Sequence, residues 1–191
     1  LAALGAKFSE NLLDATNAYG EYLEDEALLA GIPDDVCRAA QEAAALAGKA
    51  GWKFTLQAPS YGPVMQYADD RALRARLYRA YATRASELGQ PEYDNSPLID
   101  KLLQLRAEEA QLLGYANYAE VSLVPKMAES PQKVAEFLRE IAAKARPFAE
   151  RDVAELRIFA RDQLGLAQLE SWDLAWASEK LKQARYAFSD E

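Results

Sequence analysis

The sequence predicts an all-α fold: an irregular multi-helix array with one short β-strand or hairpin element. Three observations predict it. Apolar residues recur at helical spacing over most of the 191 residues. Glycines, prolines and N-capping residues divide the chain into segments of helical length. Only residues 52–56, WKFTL, alternate large apolar and polar side chains with the period of two that is typical of a strand.

The composition is that of a globular domain without a nucleic-acid or membrane partner. Half of the residues are hydrophobic and 27% are charged, and we expect a single helical region over residues 1–191. The net charge of −8, from 22 Lys and Arg against 30 Asp and Glu, disfavours binding to phosphate backbones. No apolar run has the length of a membrane span. A single cysteine excludes an internal disulfide and fits the cytoplasm.

Two helices are predicted before the strand. The first carries apolar residues at helical spacing from Leu4 and ends near Gly20. Residues 24–26, which are all acidic, are interpreted as a solvated corner rather than a metal site. The second helix begins at Asp34 and stops at Gly48.

The strand cannot satisfy its own backbone N–H and C=O groups, so it must pair with another strand. No second strand pattern is evident, and the hypothesis is that the partner lies outside this sequence, which leaves an exposed edge. A short helix over residues 60–68 and a longer one over residues 70–88 follow.

Residues 94–131 show the clearest helix boundaries. Ser96, which is followed by proline, is typical of a helix start, and Gly114 supplies the left-handed residue that closes a helix over residues 96–113. A shorter helix begins at the capping residue Asn117 and ends before the next proline.

The last third of the sequence is also helical. Ser130 precedes a long helical pattern over residues 131–164, in which Pro147 is expected to kink or split the helix. A final helix is predicted over residues 173–188. The last three residues, 189–191, are typical of a helix start, so we expect the natural polypeptide to continue.

A buried ion pair is predicted between two of these helices. At about 100° per residue, Arg84 falls at the middle of the apolar face of its helix, and Glu109 falls within the leucine stripe of another. We predict that Arg84 bonds Glu109, or less favourably Glu108, across the core. The alternative is that either side chain reaches solvent through its flexible stem.

Other candidate chemistry has simpler explanations. Ser130 and Lys133 have the Ser-x-x-Lys spacing of some acyl-enzymes, but Ser130 is better explained as a helix cap. The arginines of residues 70–88 scatter around their helix and are interpreted as a solvated surface. Cys37 is expected to be a small buried side chain, because the sequence has no histidine to activate it. The tyrosines either line a peptide channel or keep their hydroxyls at the surface.

Several long blocks of the sequence resemble one enzyme family. The blocks are LRAEEAQLLGYANYAEVSL with the following PKMAESP, YGPVMQYADDRALRARLYRAYATRAS and ESWDLAWASEKLKQARYAFSDE. They are similar to the corresponding segments of the thimet oligopeptidase and oligopeptidase A family of zinc metallopeptidases. The similarity extends from about Phe8 to the end of the sequence.

The resemblance implies zinc as the cofactor of an intact parent protein. Members of the family hold zinc with a His-Glu-x-x-His helix and a later glutamate, in a part that lies beyond Glu191. Because this sequence contains no histidine, that site cannot be assembled here. We therefore assign no catalytic, metal-binding or cofactor-binding residue to this chain.

The resemblance also implies a role for this chain. We expect an internal segment of a larger oligopeptidase that lacks the catalytic zinc domain, forms the wall and scaffold of a substrate channel, and is inactive alone. Its partners are then the missing catalytic half and, in the intact parent, short peptides. The alternative is a free-standing helical protein-interaction module without catalysis.

Overall fold

The computed structural model describes residues 1–186 and confirms an all-α fold with one small β element. The helices and strands, in chain order, are α1 (Ala2–Ala18), β1 (Glu21–Leu23), α2 (Asp34–Leu46), β2 (Trp52–Phe54), α3 (Ala58–Tyr67), α4 (Arg71–Thr83), α5 (Ser96–Leu112), α6 (Tyr118–Leu123), α7 (Pro131–Leu164) and α8 (Leu174–Tyr186). Short 3-10 turns occupy Glu26–Leu29, Pro91–Tyr93 and Ser171–Asp173. The predicted end of the last helix at residue 188 and the helix-start signal at residues 189–191 lie outside the described residues.

The strand partner lies within the chain, so the hypothesis of a partner outside this sequence is wrong. β1 pairs with β2 in antiparallel register, with Glu21 opposite Phe54 and Leu23 opposite Trp52. β1 is only three residues long, EYL, which is too short to show a period of two. The pairing satisfies one edge of each strand.

Side-chain caps and one glycine set the helix boundaries that the sequence predicted. The Asp70 carboxylate accepts a hydrogen bond from the Leu73 N–H, and the Asn117 side chain accepts one from the Glu120 N–H at 3.2 Å. At the end of α5, Gly114 has a φ of +79°, as the predicted stop requires.

Two helices differ from the prediction. α4 ends at Thr83, five residues before the predicted end, because Arg84 is extended and Ala85 adopts a left-handed φ of +53°. Neither glycine nor proline marks this turn, so the sequence carries no signal for it. α7 continues through Pro147 as one helix, so the predicted alternative of a split is wrong.

The described residues form two compact units, and one of them contains nearly all of the core. This core unit consists of Asn11–Asp94 and the chain from Glu155 onward. In it, α2 packs on β2, α3 packs on α4 and α8, and α4 packs on the Ser171–Asp173 turn. The buried apolar cluster is formed by Leu23, Leu29, Ile32, Ala40, Phe54, Val64, Met65, Ala68, Leu73 and Leu77.

The other unit, which we call the bare unit, has almost no core. It consists of Leu1–Glu10 and Asn95–Ala154, and among its described residues only Asn95 and Ala110 are buried. Most of the large apolar side chains that are exposed in residues 1–186 belong to it. They include Ile99, Leu103, Leu112, Leu113, Val124, Met127, Phe137, Leu138, Ile141 and Phe148.

Two glycines near the strands provide a matched test of the fold. Gly48 and Gly51 both have positive φ values, +70° and +81°. A Cβ at Gly51 would lie 2.0 Å from the Leu23 carbonyl oxygen, whereas a Cβ at Gly48 would meet no heavy atom within 4 Å. We therefore expect Gly48→Ala to lower the free energy of unfolding by about 1 kcal/mol, from backbone strain alone. Gly51→Ala is expected to lower it by about 3 kcal/mol, because the β1–β2 pairing must also shift.

Urea denaturation followed by circular dichroism measures both losses. Equal losses for the two variants would contradict the close approach of Gly51 to β1.

Candidate functional site

The described residues do not supply a ligand set for a metal. The sequence has no histidine, and within residues 1–186 no group of three or more Cys, Asp and Glu side chains stands close enough to hold a metal ion. A zinc site needs three or four such ligands around one point. These residues therefore do not fit the zinc that the family resemblance implies.

A buried ion cluster is the principal polar site of the core unit. The carboxylate of Asp173 and the guanidinium of Arg74 are both fully buried, with Arg74 Nη2 2.9 Å from Asp173 Oδ1. Arg71, which is half-exposed, donates to the other carboxylate oxygen through Nη2 at 2.7 Å and Nε at 3.1 Å. The backbone N–H of Glu170 adds a further hydrogen bond at 3.0 Å. The cluster links α4 to the turn that begins α8.

Arg74 also satisfies backbone carbonyl groups around it. Its Nη1 donates to the carbonyl oxygen of Ala68 at 2.6 Å, and its Nε donates to that of Trp172 at 3.2 Å. The Trp176 ring lies against the guanidinium, 4.4 Å from its central carbon. The buried guanidinium of Arg74 therefore connects the chain just before α4 with the turn before α8.

The environment of Asp173 explains why this carboxylate is structural. Burial alone would raise the pKa of Asp173, but the hydrogen bonds from Arg71, the Glu170 N–H and Arg74 outweigh it and lower this pKa below its ordinary value. A carboxylate held ionised and engaged by four donors is not free to accept a proton from a substrate. The cluster therefore positions α8 rather than performing chemistry.

The predicted solvated surface of α4 is wrong for Arg74, which is fully buried. Arg71 and Arg79 are exposed as expected, although Arg71 also pairs with Asp173. Helical periodicity does not predict the cluster, because the carboxylate partner lies about 100 residues later in the chain. The one local signal is Trp172 next to Asp173, since a large apolar residue beside the acid indicates that this turn is buried.

Smaller polar contacts extend this connection between α8 and the rest of the core unit. Lys180 pairs with Asp69 at 3.0 Å, and the indole N–H of Trp176 donates to the same carboxylate at 3.0 Å. Gln66 of α3 donates to the buried Glu179 at 3.0 Å. These contacts align α8 along α3.

Arg84, the first residue of the predicted pair, lies in the core unit just after α4. Its guanidinium stacks 3.6 Å from the Tyr81 ring centre, and its Nη1 donates to the Tyr81 carbonyl oxygen. Its buried Nε has no hydrogen-bond partner among the described residues. Arg84 also borders a cavity of about 260 Å³.

Glu109, the second residue of the pair, lies in α5 of the bare unit. It is half-buried, and its buried Oε2 has no hydrogen-bond partner among residues 1–186. Glu108 is exposed and accepts a hydrogen bond from Gln104 at 2.9 Å, as expected for a residue at the margin of the stripe. The bond between Arg84 and Glu109 stays a prediction.

Tyr61, Tyr81 and Cys37 contribute to packing in the core unit. Tyr61 stacks on Tyr81 with ring centres 4.2 Å apart, and burial raises the pKa of Tyr61 to about 12. Cys37 is half-buried, and burial together with Asp34 and Asp35 raises the pKa of its thiol. A raised pKa keeps the thiol protonated, which opposes a role as nucleophile.

Replacing Arg74 tests the ion cluster. We expect Arg74→Met to lower the free energy of unfolding by about 3–5 kcal/mol, because it removes one partner of a buried charge. The control is Arg79→Met on an exposed position of the same helix, which should change it by no more than about 0.5 kcal/mol. Equal effects in chemical denaturation would show that the cluster does not hold α4 and α8 together.

A double-mutant cycle tests the predicted pair of Arg84 and Glu109. If the two side chains bond, the combination of Arg84→Met with Glu109→Gln should show a coupling of about 1–3 kcal/mol. The same cycle with Glu108→Gln should show none. The prediction fails if Arg84→Met leaves the free energy of unfolding unchanged, or if both cycles give zero coupling.

The helices give no indication of a membrane-spanning segment. Among residues 1–186, none of them combines the length and the apolar character that crossing a bilayer requires.

Comparison with known proteins identifies the family. The family model described as Peptidase family M3 matches residues 64–191. Oligopeptidase A of Salmonella typhimurium and oligopeptidase A of Escherichia coli are each 48% identical to this chain over 193 residues, which cover 100% of the chain and 28% of each relative. A protein of Arabidopsis thaliana named probable cytosolic oligopeptidase A is 41% identical over 100% of the chain and 28% of its own length.

The chain thus spans 28% of the length of these relatives. The family match covers more than half of the chain and agrees with the resemblance carried by the sequence blocks. The chain belongs to peptidase family M3.

Proposed function

We propose that this chain is the helical wall and scaffold segment of a zinc-dependent oligopeptidase that hydrolyses short peptides. The observation that carries the proposal is that the oligopeptidase A relatives match the whole of this chain and extend far beyond it. In the intact enzyme, zinc is then held by residues outside this sequence, because the sequence has no histidine and residues 1–186 do not fit a zinc site. This segment limits which peptides can enter by their size and supports the catalytic part. The hydrolysis of the peptide bond takes place in the catalytic part, outside this sequence.

The uneven burial of the chain supports a scaffold role. The bare unit exposes large apolar side chains on α5, on α7 and in the segment that follows α6, and it buries only two residues. Exposed apolar surface of this extent indicates a surface that is covered by other protein in the functional molecule. The rest of a peptidase polypeptide provides such a cover.

The cytoplasm is the proposed location of the intact enzyme. The support is the single cysteine, which forms no internal disulfide, together with the relative named probable cytosolic oligopeptidase A.

The proposal is tested by domain replacement. We expect Escherichia coli oligopeptidase A to keep cleaving a fluorogenic short peptide when its matching segment is replaced by this chain. We expect the chelator 1,10-phenanthroline to abolish this cleavage and added zinc to restore it. This chain alone, supplied with zinc, should show no turnover.

Two results would contradict the proposal. One is chelator-sensitive cleavage by this chain alone, since it would require an active site within these residues. The other is a folded replacement enzyme that binds zinc but cleaves no peptide, which would favour the alternative of a free-standing interaction module.

A further inference from the structure

The central part of α7, residues 136–154, packs against no other described element of the bare unit. Every residue from 136 to 154 is exposed. Helices in water gain most of their stability by burying an apolar face, and short isolated helices are marginal. A stretch of five turns that buries nothing therefore indicates a missing partner.

Five apolar residues of α7 form a regular seam, which ends at Asp152, the next heptad position. Val134, Leu138, Ile141, Ala145 and Phe148 follow one another at alternating spacings of four and three, which is the heptad pattern of a coiled coil. At 100° per residue they fall within an arc of about 80°. The side chains of Leu138, Ile141 and Phe148 are 58%, 48% and 60% exposed. We call these five residues the α7 seam.

The two flanks of the α7 seam differ in size and charge. One flank carries Ala135, Ala142 and Ala149, whose small side chains allow a second helix to approach closely. The other flank carries the exposed Phe137 and then the basic residues Lys144 and Arg151. A partner helix therefore gains ion pairs if its facing flank is acidic.

The contacts that these two basic residues already make are easily exchanged. Lys144 pairs with Glu140 one turn earlier, at 2.6 Å, and both side chains are largely exposed. Such exposed pairs contribute about 0.3–0.5 kcal/mol. The Arg151 guanidinium lies 5.0 Å from the Phe148 ring centre, so it already leans toward the seam.

Pro147 is compatible with a partner helix on the seam. It lies within the helix at a heptad position that points away from the five seam residues. The backbone hydrogen bond that proline removes is therefore lost on the outer face, where water can replace it.

We propose that the α7 seam binds a second amphipathic α-helix, with its own apolar seam and an acidic flank, from the part of the peptidase polypeptide that lies outside this sequence. This inference rests on the proposed function, because the oligopeptidase A relatives are more than three times as long as the stretch they share with this chain. A second copy of the chain fits less well. An antiparallel pair would bring two basic flanks together, and a parallel pair would set the basic flank against alanines.

Synthetic peptides test which kind of helix binds the α7 seam. We expect this chain to bind a 28-residue helical peptide with a leucine seam and glutamate flanks at least about tenfold more tightly than the same peptide with lysine flanks. Ile141→Glu should abolish this binding, whereas Ala143→Glu, on the outer face of the same helix, should leave it unchanged. Fluorescence anisotropy measures the three affinities. Absence of binding, or equal affinity for both peptides, overturns the proposal.

Proteolysis tests whether the helix that binds the α7 seam comes from the rest of the peptidase polypeptide. In the replacement enzyme described above, proteinase K should cleave residues 136–154 at least about tenfold more slowly than in this chain alone. Ile141→Glu should remove that protection and Ala143→Glu should keep it.

Equal cleavage in the two proteins overturns the proposal even if the enzyme is active, and protection without activity contradicts only the proposed function. If this chain alone forms a dimer in sedimentation and residues 136–154 are protected in that dimer, the α7 seam binds a second copy, which also overturns the proposal.

Discussion

The burial of apolar surface is the constraint on which the rest of this structure depends. In the core unit, Phe54, Val64, Leu73 and Leu77 are inaccessible to water, and the two strands and three helices around them have a common interior. Burial of such side chains is the main favourable contribution to folding. The bare unit has no comparable interior among its described residues. The two units consequently differ in how far they can stabilise themselves, and only the core unit resembles an independent domain.

The ion cluster of the core unit extends this stability to a late part of the chain. Asp173 reaches α4 through Arg71 and Arg74, so residues about 100 positions apart are fixed to each other. A buried ion pair adds little net stability compared with apolar packing, but it tolerates only one arrangement of its partners. Its effect here is to fix where α8 begins. The apolar residues of α8 alone would not specify where the helix begins relative to α4.

Local signals in the sequence predicted most of the fold, and long-range contacts explain what they did not predict. Gly114 and the caps at Asp70 and Asn117 act within a few residues, so their effects can be read directly. The pairing of β1 and the burial of Arg74 depend on distant parts of the chain, and no glycine or proline marks the early end of α4. Arg84 lies beyond the end of α4 and not on its apolar face, but it and Glu109 are both partly buried, and each has a buried polar atom without a partner among the described residues.

The proposed account, in which this chain is a supporting segment covered by the rest of the enzyme, rests on membership of peptidase family M3 and on the poor burial of the bare unit. Native-state hydrogen exchange of this chain tests it most directly. The account predicts that amides of α3 and α4 are protected at least about a hundredfold more strongly than those of α5, α6 and residues 136–154 of α7. Uniform protection across both units would contradict it, because the bare unit would then be stable without any partner.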